Sequence, residues 1–154
     1  MKIAKVVNAL EQFAPLPLQE DYDNAGLQTG LTEADVSGAL LCLDVTEAVV
    51  DEAVAKGCNL IVSHHPLIFH KLRRLCGEDD VQRTVMKAIE NHITILSLHT
   101  NMDAAEGGVN FKIAEKLGLE RPTFFGKRQS AEVKTGDGEI RTVAGGEGVI
   151  AEWT

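Results

Sequence analysis

Aromatic residues are scarce in this chain, and basic residues are outnumbered. Only 5% of the 154 residues are aromatic, so the hydrophobic core must be built mainly from Ala, Val, Leu and Ile. Fifteen Lys and Arg face 23 Asp and Glu, which gives a formal net charge of −8. Because nucleic acids and anionic membranes attract basic patches, this balance argues against both as partners. A small phosphorylated substrate remains compatible, since a bound metal ion can supply local positive charge.

Long hydrophobic runs and paired cysteines are also missing. No apolar stretch approaches the roughly 20 residues that span a bilayer. The amphipathic start at residues 3–14 predicts a helix rather than a signal peptide. The cysteines, Cys42, Cys58 and Cys76, show no C-x-x-C spacing, and their odd number favours a reducing compartment. We therefore expect a cytoplasmic protein in which Cys42 and Cys58 are small buried side chains.

Several common catalytic and nucleotide-binding motifs are absent as well. The chain contains neither G-x-x-x-x-G-K-[ST] nor G-x-G-x-x-G, so neither a P-loop nor a dinucleotide-binding turn is predicted. No Ser or Cys lies in a recognisable nucleophile motif. The sequence therefore gives no indication of covalent catalysis through a Ser or Cys nucleophile.

Strand-like and helix-like segments alternate through the first part of the chain. Apolar strand candidates lie at 39–43, 59–62 and 92–98, and predicted helices follow them at about 46–56, 81–91 and 106–117. This order is typical of an α/β domain with a largely parallel sheet. The near-continuous apolar run of the first strand indicates burial on both faces. The segment before it, residues 21–27, is rich in loop formers.

Residues 126–154 have a different character. They contain six glycines, their polarity alternates, and they show no helical period. The alternating polarity of residues 139–143 and 147–152 predicts two short antiparallel strands. We therefore divide the chain into a metal-binding α/β domain, residues 1–125, and a Gly-rich β segment, residues 126–154.

Candidate metal ligands follow two of the predicted strands. His64 and His65 come directly after one strand, and Asp103 comes just after the next. Right-handed crossovers would bring these carboxyl ends to one edge of the sheet, where ligands of α/β proteins bind. Adjacent histidines on a regular strand point to opposite faces, so the backbone must leave strand geometry there, which Pro66 favours. Imidazole and carboxylate together suit zinc, iron, manganese or nickel, and three ligands leave positions open for substrate.

Other interpretations of these residues remain open. The histidine pair could consist of ordinary loop residues, and a mononuclear two-His-one-carboxylate oxygenase would use the same donor set. Asp44 could be a ligand, an acceptor behind a ligand, or the cap of the following helix. His99 could act as a catalytic proton shuttle, orient the site, or simply pack.

Three motifs occur in an order that resembles one family. They are DYDNAGLQ at 21–28, IVSHHPL at 61–67 and LHTNMD at 98–103, the last followed by GVN at 108–110. Together they resemble the Nif-three-like family, whose members are also called GTP cyclohydrolase 1 type 2 homologues. The resemblance implies a three-layer α/β/α fold, a dinuclear metal centre and a homo-oligomeric ring, often a hexamer. It also implies that His64 and His65 are metal ligands and that Asp103 is the bridging carboxylate.

The family's remaining ligands have no counterpart in this sequence. They form an H-x-x-x-E motif near the C-terminus of longer chains, whereas residues 104–154 contain no histidine. We therefore expect this chain to correspond to the N-terminal half of the family fold, with 126–154 as the start of an insert or of a second half. The implied function is metal-dependent hydrolysis of a nucleotide or related small molecule, of the GTP cyclohydrolase type. The alternative is a non-catalytic metal-binding scaffold or regulatory interaction protein.

Overall fold

The chain divides into two compact units. The first contains residues 1–8 and 22–99, and the second contains residues 9–21 and the chain from Thr100 onward. A computed structural model describes residues 1–153. Its helices are α1 (Ile3–Phe13), α2 (Glu47–Ala55), α3 (Asp80–Glu90), α4 (Thr100–Ala104) and α5 (Val109–Lys116), with a 3₁₀ turn at Leu16–Leu18. Its strands are β1 (Gly26–Thr29), β2 (Ala39–Cys42), β3 (Leu60–Ser63), β4 (Thr94–Ser97), β5 (Glu120–Lys134) and β6 (Ile140–Glu152).

A four-stranded sheet in the order β1-β4-β3-β2 forms the centre of the first unit. Strands β2, β3 and β4 are parallel, and β1 runs antiparallel to β4. Ile61 and Ile95 lie opposite each other and belong to a hydrophobic core with buried residues of the helices, namely Val50 and Ala53 of α2 and Val85 and Ala88 of α3. The prediction of an α/β fold with a largely parallel sheet is therefore confirmed. None of the helices in residues 1–153 combines the length and the apolar character that a membrane span requires.

The prediction that β2 is buried on both faces is wrong. Within the described sheet, β2 is an edge strand that pairs with β3 alone. Leu40 and Cys42 pack against the core, whereas Leu41 points away from it and is 75% exposed. The apolar run at 39–43 therefore did not distinguish a central strand from an edge strand that packs only one face on the core.

The loop-like segment at 21–27 contains the start of strand β1, which the sequence did not predict. Gly26 and Leu27 pair with Ser97 and Leu96 of β4. Gly26 has a φ of 101°, in the region that favours glycine. Because glycine and its neighbours are typical of loops, the sequence did not predict this strand of four residues.

Strands β5 and β6 form a two-stranded antiparallel sheet in the second unit. The segments 139–143 and 147–152, predicted as separate strands, belong to the single strand β6 except for Glu139. Its long partner β5 was not predicted. A Cβ added at Gly146 would lie 2.6 Å from Cδ1 of Phe124, so this glycine makes room for an aromatic ring on the opposite strand. The predicted domain boundary after residue 125 falls within β5 and stays a prediction.

The helix predicted at about 106–117 is shorter in the structure. It is present as α5, and the separate short helix α4 precedes it. The two are separated by a turn in which Gly107 has a φ of 75°. A Cβ added at Gly108 would clash with the Met102 carbonyl oxygen, so the turn requires glycine. Small side chains form the core of this unit, comprising Ala14, Leu18, Ala104, Ala105, Ala131 and Val143.

Candidate metal centre

Three histidines meet at the carboxyl ends of β3 and β4. Ser63 and Ser97, the last residues of these strands, lie opposite each other, so the two strands end side by side. His64 and His65 follow β3 directly, and His99 follows β4 after one residue. One ligand nitrogen from each histidine lies within 4.8 Å of the other two. The structure therefore places His99 beside the predicted ligands His64 and His65, although the sequence had not proposed His99 as a ligand.

The backbone beyond β3 allows the adjacent histidines to share one site. The amide N–H of His65 donates to the carbonyl oxygen of Leu43 at 2.9 Å. The Ser63 hydroxyl donates to the His65 carbonyl at 2.9 Å and lies 2.8 Å from the Ser97 hydroxyl. These contacts hold the chain as it leaves strand geometry, and the rings of His64 and His65 lie only 5.1 Å apart between centroids.

Each of the three imidazoles is oriented by an oxygen atom at Nδ1. The pairs are His64 with the Leu98 carbonyl at 2.9 Å, His65 with Asp44 Oδ1 at 2.7 Å, and His99 with Asp23 Oδ1 at 2.9 Å. A carbonyl or carboxylate oxygen accepts a hydrogen bond, so in a neutral imidazole at each of these positions Nδ1 carries the proton and Nε2 the lone pair. An oxygen behind a histidine is the usual support of a metal-binding imidazole.

The two carboxylates that orient histidines differ in their surroundings. The side chain of Asp23 is 0% exposed, whereas that of Asp44 is 61% exposed. Asp44 does not cap α2, because Thr46 fills that position and accepts from the Val49 amide at 3.3 Å. Asp44 is therefore an acceptor behind His65, one of the alternatives that the sequence left open. Sequence reasoning missed Asp23, and its only signal was its place in the DYDN motif.

The remaining predicted site residue, Asp103, lies in α4 of the second unit. Its carbonyl oxygen accepts from Asn110 Nδ2 at 3.0 Å. The role of Asp103 as a ligand stays a prediction, as do metal binding by His64 and His65 and a catalytic role for His99.

The cysteine nearest to the site in the sheet does not offer a thiolate. Burial raises the pKa of the Cys42 thiol, and the negative charge of Asp44 raises that pKa further. A thiol of this kind stays protonated at neutral pH and is a poor ligand and nucleophile. As predicted, Cys42 and Cys58 pack against the hydrophobic core, although both are only partly buried.

The donor set in the first unit fits a divalent transition metal. Three imidazoles, each with an oxygen at Nδ1 so that Nε2 is the ligand atom of the neutral ring, suit zinc, iron or nickel. Three protein ligands also leave coordination positions for water, substrate or further protein groups, as catalytic sites require. The residues present are thus chemically suited to the metal that the sequence predicted.

Comparison with known proteins finds relatives whose matches cover most of this chain. A curated protein of Clostridium acetobutylicum named GTP cyclohydrolase 1 type 2 homolog is 36% identical over 140 residues, which cover 91% of this chain and 52% of that protein. A crystal structure of a Bacillus cereus protein related to NIF3 is 38% identical, with a TM-score of 0.78, and the match covers 86% of this chain and 37% of that one. Staphylococcus aureus protein SA1388 is 28% identical, with a TM-score of 0.83 over 99% of this chain and 60% of that one.

The chain spans about half the length of the curated Clostridium acetobutylicum relative.

A family model also matches this chain. The family described as Duf34/NIF3 (NGG1p interacting factor 3) matches residues 1–152. Because that match takes in nearly every residue, including both histidine motifs, this chain belongs to the Duf34/NIF3 family.

Proposed function

We propose that this chain binds a divalent metal ion through His64, His65 and His99 and serves the hydrolysis of a nucleotide or related small molecule. One observation carries the proposal: three ligand nitrogens lie within 4.8 Å of one another, and each imidazole is oriented by an oxygen at Nδ1. The name GTP cyclohydrolase 1 type 2 homolog, carried by the Clostridium acetobutylicum relative, supports a nucleotide as the substrate class.

The protein groups have separate parts in this proposal. A bound divalent ion would supply a Lewis acid that polarises substrate and lowers the pKa of water. Asp23 and Asp44 hold the rings of His99 and His65 and keep the proton on Nδ1. A bridging role for Asp103 stays a prediction drawn from the family resemblance. The chain spans about half the length of the Clostridium acetobutylicum relative, and the hydrolytic reaction is a proposal for this chain.

The test is the amount of metal bound per chain. We expect the untagged protein to bind zinc, iron, manganese or nickel, measured by elemental mass spectrometry after dialysis against each ion. The His64→Ala/His65→Ala double variant should lose this metal, and His99→Ala should bind it at least about tenfold more weakly, since a ligand is removed. His92→Asn is the matched control, because His92 lies outside the three-histidine group and its φ of 56° is one that asparagine tolerates.

The outcomes separate the candidate functions. Metal binding equal in the double variant and the control would exclude the three histidines as the site. The hydrolytic function is supported if the chain binds stoichiometric metal through the three histidines and the metal-loaded protein releases product from GTP. Histidine-dependent metal without turnover of any nucleotide would favour the non-catalytic scaffold.

A further inference from the structure

Two of the few aromatic side chains in this protein are exposed in the first unit. The sequence has five Phe, one Tyr and one Trp. Tyr22 is 67% exposed and Phe69 is 40% exposed, and their ring centroids lie 6.5 Å apart with planes tilted by 55°. Neither ring contributes to the hydrophobic core of the unit. Their exposure therefore has no explanation in packing.

This aromatic pair lies beside the histidine group. The Phe69 ring centroid is 6.4 Å from that of His99, with the planes at 86°. Tyr22 immediately precedes Asp23, whose carboxylate accepts from His99 Nδ1. A ring resting on the pair would therefore lie next to the proposed metal ligands.

The backbone that carries Phe69 is held firmly. The amide N–H of Ile68 donates to Gln28 Oε1 at 3.0 Å, and the carbonyl oxygen of Ile68 accepts from Asn24 Nδ2 at 2.6 Å. Gln28 Nε2 in turn donates to the Asn24 carbonyl at 2.7 Å. Both polar backbone groups next to Phe69 are thus tied to the segment that follows Tyr22. Such preorganisation lowers the entropy cost of binding.

We propose that Tyr22 and Phe69 form an aromatic platform that binds the planar heterocyclic base of a nucleotide substrate beside the three histidines. Their tilted arrangement offers one ring for offset stacking and the edge of the other for a T-shaped contact, the two favoured geometries of aromatic pairs. Stacking tolerates any base, because every base presents a π-face. The inference rests on the proposed function for its biological meaning, but base binding is measurable without metal.

The single tyrosine makes the platform directly observable. Tyr22 is the only tyrosine, so its ring resonances in a proton NMR spectrum are identified by their loss in Tyr22→Phe. We expect guanosine to shift these resonances and to receive saturation transferred from them. Ribose 5-phosphate, which lacks a base, should do neither. Dissociation constants for guanosine follow from titration calorimetry on the full chain.

Variants separate stacking from general effects on the protein. Phe69→Leu and Tyr22→Leu should each weaken guanosine binding about tenfold, the size expected for one stacked base. Tyr22→Phe keeps a ring and should stay within about twofold. Phe125→Leu is the matched control, because Phe125 is an aromatic residue of β5 with 58% exposure and belongs to the second unit. Circular dichroism checks that each variant folds. If Phe69→Leu does not fold, the affinity of Tyr22→Leu for guanosine is enough to test the platform.

Two results would overturn the platform. One is guanosine affinity unchanged in Phe69→Leu and Tyr22→Leu, and the other is no binding of guanosine by the folded protein. Metal content, measured in the same samples, tests the proposed function separately. Guanosine binding that depends on the two rings, in a protein that takes up no metal, would support the platform and reject the metal site. Histidine-dependent metal binding without guanosine binding would support the metal site and reject the platform.

Discussion

At the scale of single residues, the oxygen atoms behind the histidines decide how they can bind a metal. The Leu98 carbonyl, Asp44 and Asp23 each accept from an Nδ1, which fixes the tautomer and the ring orientation. The environments of the two carboxylates are unequal, because the side chain of Asp23 is buried and that of Asp44 is open to solvent. Solvent screening reduces the electrostatic influence of an exposed charge, so the two should contribute unequally to metal affinity.

The first prediction compares these two carboxylates. Asp23→Asn keeps an oxygen acceptor at His99 but removes the charge, and we expect zinc affinity to fall about tenfold or more. Asp44→Asn should have a smaller effect, because its carboxylate is exposed. Asp21→Asn is the control, since Asp21 is an exposed carboxylate two residues before Asp23 in the sequence. Competition with a chromophoric chelator measures each dissociation constant, and equal affinities in the wild type and Asp23→Asn would contradict the prediction.

At the scale of elements, side-chain caps define where α2 and α3 begin. Asp79 caps α3 by accepting from the Gln82 amide at 2.8 Å, and Gln82 Nε2 donates back to Asp79 Oδ2 at 3.0 Å. Thr46 caps α2 with a neutral hydroxyl. Both satisfy amide groups at the start of a helix that have no partner within it.

The second prediction uses the difference in charge between the two caps. The backbone hydrogen bond from Gln82 lowers the pKa of Asp79 below its ordinary value. A lowered folded-state pKa means that the stabilisation is present above the unfolded-state pKa of about 3.9 and is lost as pH falls through the folded-state value. Asp79→Ala should therefore lower the Tm at neutral pH and progressively less at acidic pH.

The neutral cap provides the control for this titration. Thr46→Ala should cost about 1 kcal/mol at all pH values, because a hydroxyl does not titrate in this range. Thermal unfolding followed by circular dichroism between about pH 3 and pH 7 compares the variants. A Tm difference for Asp79→Ala that stays constant across this range would show that its charge does not contribute.

At the scale of the whole molecule, metal binding and stability should be linked. A ligand that binds only the folded state stabilises it by about 2.7 kcal/mol at a concentration 100 times its dissociation constant. We expect zinc to raise the Tm of the protein and to have no such effect on the His64→Ala/His65→Ala variant. The formal net charge of −8 makes this variant essential, since cations also associate with acidic surfaces. An equal rise in both proteins would indicate non-specific binding.

Much of the fold was predictable from local patterns. The apolar segments that became β3 and β4 and the periodic segment that became α3 were located to within about two residues, a normal uncertainty for helix and strand ends. Less local features were missed. Leu41 is exposed because β2 lies at an edge, and the pairing of β5 with β6 joins residues such as Phe124 and Val149 that are distant in sequence. Neither strand order nor long-range pairing is encoded in the period of one segment.

The sequence by itself determined the order of β2, β3 and β4 with the helices between them, the acidic charge and the positions of His64, His65 and His99 just beyond strand ends, because these depend on local periodicity and composition. The roles of Asp103 and of a ring-shaped oligomer stay predictions drawn from the family resemblance. Only the tertiary structure decided which oxygen orients each imidazole. Asp23 lies 76 residues from His99 and Asp44 lies 21 from His65, and no local pattern joins them. The physical reason is that a hydrogen bond depends on distance in space, which the packing of the parallel strands and their loops alone establishes.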